Sequence, residues 1–351
     1  MGFFVSEPGT HLADRTTIPV AVVGVGVFGR NHARVYKELE KQGEPVRLVG
    51  VVDSDPARAE SVAREFACRH FVSIEQMLAG CEDVRAASLA VPTVRHLELA
   101  RELMNAGIDV MIEKPVAASL AEADELLRIA STRNRVVQVG HLERFNPAVR
   151  ASISLLTQPM FFEVHRLSVF TPRSLDVDVV LDLMIHDLDI VLSFVKSPVK
   201  EVRAVGLPIL SGKVDIANVR IEFDSGCVAN FTASRVSTER VRKLRFFQPN
   251  QYLSIDYGRQ EVLVFTVGTG RGAGDPTVNP QIKVAKAAVA TEEPLHAELK
   301  SFLHAVAGGS KPLVSLEDGR RALAVAIEIN AAIREHGNRV GLPGMTKGNE
   351  I

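Results

Sequence analysis

The sequence predicts an α/β protein in two parts: a doubly wound parallel sheet, then an α+β unit with a largely antiparallel open sheet. Three observations predict it. Up to about residue 145, strands that read as continuous apolar runs alternate with helices, as in a sheet covered on both faces. Beyond it, long runs alternate apolar and polar residues, as in a sheet with one face toward helices. The 351 residues also exceed one typical core. The expected division is a tail over 1–17, a first domain over 18–145, a second over 146–340 and a C-terminal tail over 341–351.

The elements follow in order. "IPVAVVGVGVFGRNHARVYKEL" starts β-branched, breaks at glycines and turns helical; "VRLVGVVDSD" is the next strand, completing a β-α-β unit. Residues 57–66 read as a helix, and "FVSIEQMLA" as a connection and short helix. "RAASLAVPT" is a strand, and "RHLELARELMNAG" a helix ending at Gly107. "IDVMIEKPVA" and "RVVQVGH" are strands around the helix "SLAEADELLRIASTRN", N-capped by Ser119. The later strands are "FFEVHRLSVF", "VKEVRAVGLPIL", "KVDIANVRIEF", "CVANFTASRV", "VRKLRFFQ" and "QYLSIDY", with a hairpin turn at "FDSGC". Helices are expected over 292–307 and 316–335, and a loop at the Gly/Pro-rich "TGRGAGDPTVNPQ". "VVLDLMIHDLDIVL", residues 179–192, reads as a helix buried nearly all round.

Composition narrows the function classes. Hydrophobic residues make up 46% and charged residues 24%, with a net charge of −1, so no global field attracts nucleic acid or an anionic membrane. Tryptophan is absent and aromatics are 5%, too few for stacking on single-stranded bases. Cys68, Cys81 and Cys227 make neither a metal spacing nor an even disulfide framework. No metal site is expected, and free thiols suit a reducing cytoplasm. The start lacks the basic and long apolar regions of a signal peptide, and no run spans a bilayer. The expected location is cytoplasmic.

Three motifs carry chemistry. "GVGVFG" sets Gly24, Gly26 and Gly29, with Val27 and Phe28 between, in G-x-G-x-x-G spacing between a strand and a helix. That context marks a dinucleotide-binding Rossmann unit with the pyrophosphate at the helix N-terminus. Asp53 ends the second strand, where an acid bonds the ribose hydroxyls and repels a 2′-phosphate, favouring NAD over NADP. Arg58 lies close enough to soften that preference, and Asp55 is the better helix cap. "MIEKPVA" brings Glu113 and Lys114 to the carboxyl end of a strand, where ligands bind in open α/β sheets; alone, Lys114 could equally be a solvated surface lysine. Asp182 and His186 are four apart, so they share a helix face, with Asp178 a turn back. Such groups in an apolar helix face a polar cavity or pair with one another, so a purely structural Asp–His pair competes with a catalytic one.

Together "GVGVFG", "EKP" and D-x-x-x-H at Asp182 and His186 resemble the glucose–fructose oxidoreductase/inositol dehydrogenase/MocA family over nearly the whole chain. The resemblance implies NAD-dependent oxidation or reduction of a carbinol on a sugar or cyclitol. It implies that Lys114 orients substrate and nicotinamide, Asp182 positions, and His186 is the acid/base. It also places Val91, Pro92, His96 and Glu113 beside the cofactor, makes the Lys114–Pro115 bond cis, and pairs the C-terminal sheets of two copies into a homodimer or homotetramer.

"GHLERFNPAV" places His141, Arg144 and Asn146 near the cleft, and the stretch before the helix adds His165, Arg166, Thr171 and Arg173. With the later strands, these segments resemble a narrower subgroup, the UDP-N-acetylglucosamine 3-dehydrogenases. That implies a 3-keto sugar nucleotide as product, consumed by an aminotransferase on the way to a 3-amino sugar of lipid A. A diphosphate suits arginine forks. Arg144, Arg166, Arg173, Arg235, Arg240 and Arg242 are the candidates, of which one or two are expected to touch ligand. The rival readings are a dehydrogenase of a free cyclitol or hexose, and a catalytically silent NAD-binding regulator.

Overall fold

The computed structural model describes residues 17–81, 83–171, 177–268 and 282–342. The two expected tails, the Gly/Pro-rich loop after residue 268 and Arg173 lie wholly or largely outside them.

The first sheet has six parallel strands, β1 (Ile18–Val23), β2 (Val46–Val52), β3 (Arg69–Phe71), β4 (Ala86–Leu89), β5 (Asp109–Glu113) and β6 (Val137–Gly140), in the order 3-2-1-4-5-6. Helices α1 (Val27–Lys41), α2 (Pro56–Phe66), α3 (Ile74–Gly80), α4 (His96–Asn105) and α5 (Leu120–Arg133) connect them. Every residue of β1 and of β5 is buried, and β1 accordingly reads as an unbroken apolar run. The order reverses between β1 and β4, so their carboxyl ends open the crevice where such sheets take ligands. The three-residue β3 was too short to stand out in the sequence.

Helix α6 (Pro147–Ile153) leads into the second sheet. Its strands are β7 (Phe161–Leu167), β8 (Val199–Leu207), β9 (Ile216–Phe223), β10 (Val228–Ser234), β11 (Val241–Gln248), β12 (Gln251–Asp256), β13 (Glu261–Val267) and β14 (Ile282–Lys286). Of its seven neighbouring pairs six are antiparallel and one, β7 with β10, is parallel. Helices α7 (Ile185–Phe194) and α9 (Leu316–Val340) cover the inner face, burying Phe162, Val164, Phe231, Leu244 and Phe246. The other face carries Phe161, Phe247, Tyr252 and Phe265 in a half-exposed ladder with ring centroids 5.5, 5.2 and 4.1 Å apart. β13 and β14 were not expected; all five residues of β14 are exposed, so no burial pattern announces it.

Helix α8 (Pro294–Gly308) follows the second sheet in the chain but packs on the first. Its Leu295, Leu299, Phe302 and Leu303 share a core with Ile18, Val20, Leu48 and Tyr36. Two further ties cross over: Val139 N–H donates to the Val314 carbonyl at 3.0 Å, and Gln138 Nε2 to the Glu298 carbonyl at 3.0 Å.

The expected helix over 179–192 is not uniform. Residues Val180–Met184 form a π turn before α7 begins at Ile185. A widened turn arises where a side chain enters the helical hydrogen-bond ladder. Here the intruder is Lys114, whose Nζ donates to the Asp182 carbonyl at 2.7 Å.

Candidate active site

The glycine loop is built by close approach. Gly24 has φ +81°, and a Cβ there would lie 2.7 Å from the Ala90 carbonyl. A Cβ on Gly29 would sit 1.8 Å from the Gly24 carbonyl, so the loop and α1 fit only without one. Gly26 caps α1 with no side-chain acceptor, no acid in the first turn and open space around it. Val27 and Phe28 stand exposed at the mouth. The first-turn N–H groups are thus free to meet an anion.

Asp53 is nearly buried and braces this loop: its carboxylate accepts from Val25 N–H at 2.9 Å and Asp55 N–H at 3.0 Å. Arg58 lies 3.3 Å from both of its oxygens. Asp55 accepts from Ala57 and Arg58 N–H, capping α2 as its sequence suggested. The open second glycine, the unblocked helix end and the acid at the end of β2 together fit the adenosine half of NAD. Val91 and Pro92 lie just beyond β4 on the same rim. His96 does not face the crevice. It is buried with Nε2 3.0 Å from the Val91 carbonyl and Nδ1 3.0 Å from the Pro115 carbonyl, so it ties the two rim segments together.

At the carboxyl end of β5 the Lys114–Pro115 peptide is cis. Lys114 Nζ holds the Asp182 carbonyl and lies 3.6 Å from the Asp182 carboxylate, joining the first sheet to the π turn. Burial pushes the ammonium below its usual range, partly opposed by Asp182 and Glu113. His186 sits at the start of α7, half-buried, with Nδ1 enclosed and unpartnered. Burial, then the positive charges of Lys114 and Arg166, hold its imidazole well below its ordinary pKa, so the ring is neutral. Among the described residues Asp182 makes no hydrogen bond to His186; its partner is Lys114. Asp178 does something else: it caps the π turn, accepting from Val180 and Leu181 N–H, and takes Asn330 Nδ2 at 3.0 Å.

Below this lies an ionic cluster that the sequence did not single out. Arg166, on the inner face of β7, forks onto Asp187 at 2.5 and 3.0 Å, reaches Glu143 at 3.1 Å, and lies 5.4 Å from the Tyr257 ring centroid. Only 4% of Arg166 is exposed, so the guanidinium expected on ligand is instead spent inside the protein. Asn146 is likewise internal: it caps α6 and donates to Glu143 and the Tyr257 carbonyl. Arg144 lies 3.6 Å from Asp189 and 3.7 Å from Asp318. Arg235 donates to the Val177 carbonyl at 2.6 Å and lies 3.8 Å from Asp215. These three arginines are engaged by the fold.

A second buried group sits toward α8. His32 Nε2 is 3.1 Å from Glu113 Oε1, and His141, Gln138 and Glu298 lie in the same interior with side-chain atoms that find no hydrogen-bond partner. Burial, then Glu113 and Asp189, push the Glu298 carboxyl well above the usual range, so it is protonated. Its signal was legible, since Glu298 interrupts the stripe Leu295, Leu299, Phe302 of an apolar helix face. Among the described residues no cluster of acids, histidines and cysteines could hold a metal ion.

Comparison with known proteins agrees with this geometry. Residues 18–141 match the model of an oxidoreductase family with an NAD-binding Rossmann fold, and residues 157–248 match the GFO/IDH/MocA C-terminal domain. The chain is 37% identical over 314 residues to UDP-N-acetylglucosamine 3-dehydrogenase of Acidithiobacillus ferrooxidans, covering 89% of this chain and 96% of the relative. It is 24% identical over 345 residues to an inositol 2-dehydrogenase of Rhizobium meliloti, covering 91% and 96%. Among solved structures, the Acidithiobacillus ferrooxidans 3-dehydrogenase superposes with a TM-score of 0.82 at 35% identity over 90% of this chain and 98% of that one. A levoglucosan dehydrogenase, solved with NADH and levoglucosan, shares the fold at 18% identity, with a TM-score of 0.79 and coverage of 91% and 98%. The chain therefore belongs to the GFO/IDH/MocA oxidoreductase family and is an NAD-dependent enzyme.

Proposed function

We propose that the protein oxidises the 3-hydroxyl of UDP-N-acetylglucosamine to the 3-keto sugar nucleotide. The observation that carries the chemistry is the neutral, unpartnered imidazole of His186 beside Lys114 at the carboxyl edge of the first sheet. The substrate assignment leans on the relative that matches over 96% of its own length.

NAD, when bound at this rim, would supply the hydride acceptor for the carbinol carbon. His186 takes the hydroxyl proton, which its neutral ring can do without first losing one. Lys114 donates to the oxygen as negative charge develops on it. Asp182 holds Lys114 from the far side through both its carbonyl and its carboxylate. The rim residues Gly24, Gly26, Val27, Phe28, Gly29, Asp53, Val91 and Pro92 receive the cofactor, and Asp53 favours NAD over NADP. The ketone is consumed by an aminotransferase, in the cytoplasm, for a 3-amino sugar of lipid A. The half-exposed aromatic ladder of the second sheet packs on a second copy, giving a homodimer or homotetramer.

The test is a coupled assay with NAD, glutamate and a sugar-nucleotide aminotransferase, read by mass spectrometry. A 3-amino UDP-sugar is the expected product, with free N-acetylglucosamine almost inert. His186→Ala is expected to lower turnover about a hundredfold or more while NAD affinity holds. Turnover of a free cyclitol with none of UDP-N-acetylglucosamine overturns the substrate assignment. Near-normal turnover in His186→Ala overturns the role of the ring.

A further inference from the structure

We propose that Arg242 is the seat of the substrate's diphosphate. The inference rests on the nucleotide-sugar reading and says which side chain of the site carries it.

The second sheet supplies the geometry. Strands β7 and β11 are antiparallel neighbours, with Arg166 directly opposite Arg242. On both strands the even-numbered residues face the helices: Phe162, Val164 and Arg166 on one, Leu244 and Phe246 beyond Arg242 on the other. The other inward-facing residues of these two strands, Arg166 included, are buried. Arg242 faces inward and yet is exposed. The sheet must therefore open into a cleft at that point rather than into a packed core. Along the same row lie Ala233, paired with Arg166, and Tyr257, whose N–H bonds the Arg242 carbonyl. The cleft lies on the His186 side of the sheet, since Arg166, directly opposite Arg242, forks onto Asp187, the residue next to His186.

Like charges directly opposite on a sheet are destabilising. Arg166 is neutralised by Asp187 and Glu143. The Arg242 side chain, among the described residues, has neither hydrogen bond nor ion pair, and exposed Arg240 adds a further positive charge beside it. A cation that faces inward, opposite another cation, with its own carboxylates already taken, lacks an anion. Desolvation and the Arg166 charge lower its pKa, as expected of a guanidinium without a partner. Arg144, Arg166 and Arg235 are occupied, so Arg242 is the described arginine of the cleft that can fork onto phosphate.

The experiment titrates UDP into the NAD-saturated protein by calorimetry. Wild type is compared with Arg242→Gln, Arg242→Lys and, as a control on the outer face, Arg220→Gln. Arg242→Gln is expected to weaken UDP about ten- to a hundredfold, the scale of a lost charged hydrogen bond. Arg242→Lys should retain part of the affinity, and Arg220→Gln all of it. NAD affinity should stay within about twofold throughout, because the cofactor rim is on the other sheet. Arg242→Gln should also melt no lower than wild type, since it relieves the repulsion with Arg166. N-acetylglucosamine 1-phosphate, run in parallel, separates a phosphate contact from one to uracil or ribose. Its binding should weaken in Arg242→Gln as well. Equal UDP binding by wild type and Arg242→Gln overturns the assignment and leaves the nucleotide-sugar reading intact. No UDP binding by wild type overturns both.

Discussion

Two buried ionic clusters flank the candidate site, and they are built on opposite terms. Around Arg166 every charge is answered: Asp187 takes two contacts, Glu143 one, and Tyr257 lies against the guanidinium. Around Glu298 little is answered: both of its carboxyl oxygens, both nitrogens of His32 and both of His141 lack hydrogen bonds. The first cluster is a stiff post under α7, which fixes where His186 stands. In the second, burial raises the Glu298 carboxyl and lowers the His141 imidazole, so both lean to their neutral forms, because an unpaired charge in an apolar interior costs more than a proton. Paired charge sets geometry here, and unpaired burial sets protonation.

The largest effect is expected from breaking the paired cluster. Arg166→Met strands Asp187 and Glu143 in the interior and should cost about 3–5 kcal/mol in urea unfolding. A loss under about 1 kcal/mol would mean the cluster is not the post described. Smaller, and of opposite sign, is Glu298→Gln. The folded carboxyl pKa is raised, so the folded state holds a proton that the unfolded state releases above about pH 4.3. Wild-type stability therefore declines as pH rises above that value. Glu298→Gln removes this decline and should be more stable by about 1–3 kcal/mol at pH 8, with the gap closing as pH falls toward 4. A gap that does not change with pH would show that Glu298 is charged in the fold.

Because burial and nearby cations depress His186, the acid limb of kcat/KM for oxidation should fall below about pH 6.5, the ordinary imidazole value. On the alkaline side, the depressed Lys114 should lose its proton below about pH 10.4 and bring the rate down with it. An acid limb at or above 6.5 removes the claim that the ring is held neutral. The smallest effect belongs to an exposed pair: Arg30 and Glu65 meet at 2.5 Å on the surface, and Arg30→Ala should leave the unfolding midpoint where it is.

The sequence showed best what is encoded locally. Gly24 and Gly29 must be glycines because the Ala90 and Gly24 carbonyls crowd them, while Gly26 stands in open space, and the spacing of the three announced the loop. The strand–helix alternation and the sheet's alternating runs likewise follow from burial of single elements. The π turn was not legible, because its cause, Lys114, lies 68 residues away in the chain. The sorting of arginines was half legible. Nothing local tells that Arg166 meets Asp187, 21 residues on. Yet the alternation in "FFEVHRL" and "VRKLRFF" already set Arg166 and Arg242 on the apolar face of their strands, where a cation demands an explanation. His96 went the other way: its place near the rim suggested a cofactor contact, and its burial between two carbonyls makes it a brace.

Helix α8 has a consequence for how the molecule is made. The first sheet is complete in sequence by Gly140, but part of its apolar covering, Leu295, Leu299, Phe302 and Leu303, is synthesised more than a hundred residues later. During translation the nucleotide-binding half must wait, with one side of β1 and β2 only partly covered by α1 and α2, until nearly the whole second sheet has left the ribosome. A chain stopped near residue 145 would keep that side open to water and to other chains. The molecule reads as two units along its sequence, but it closes as one.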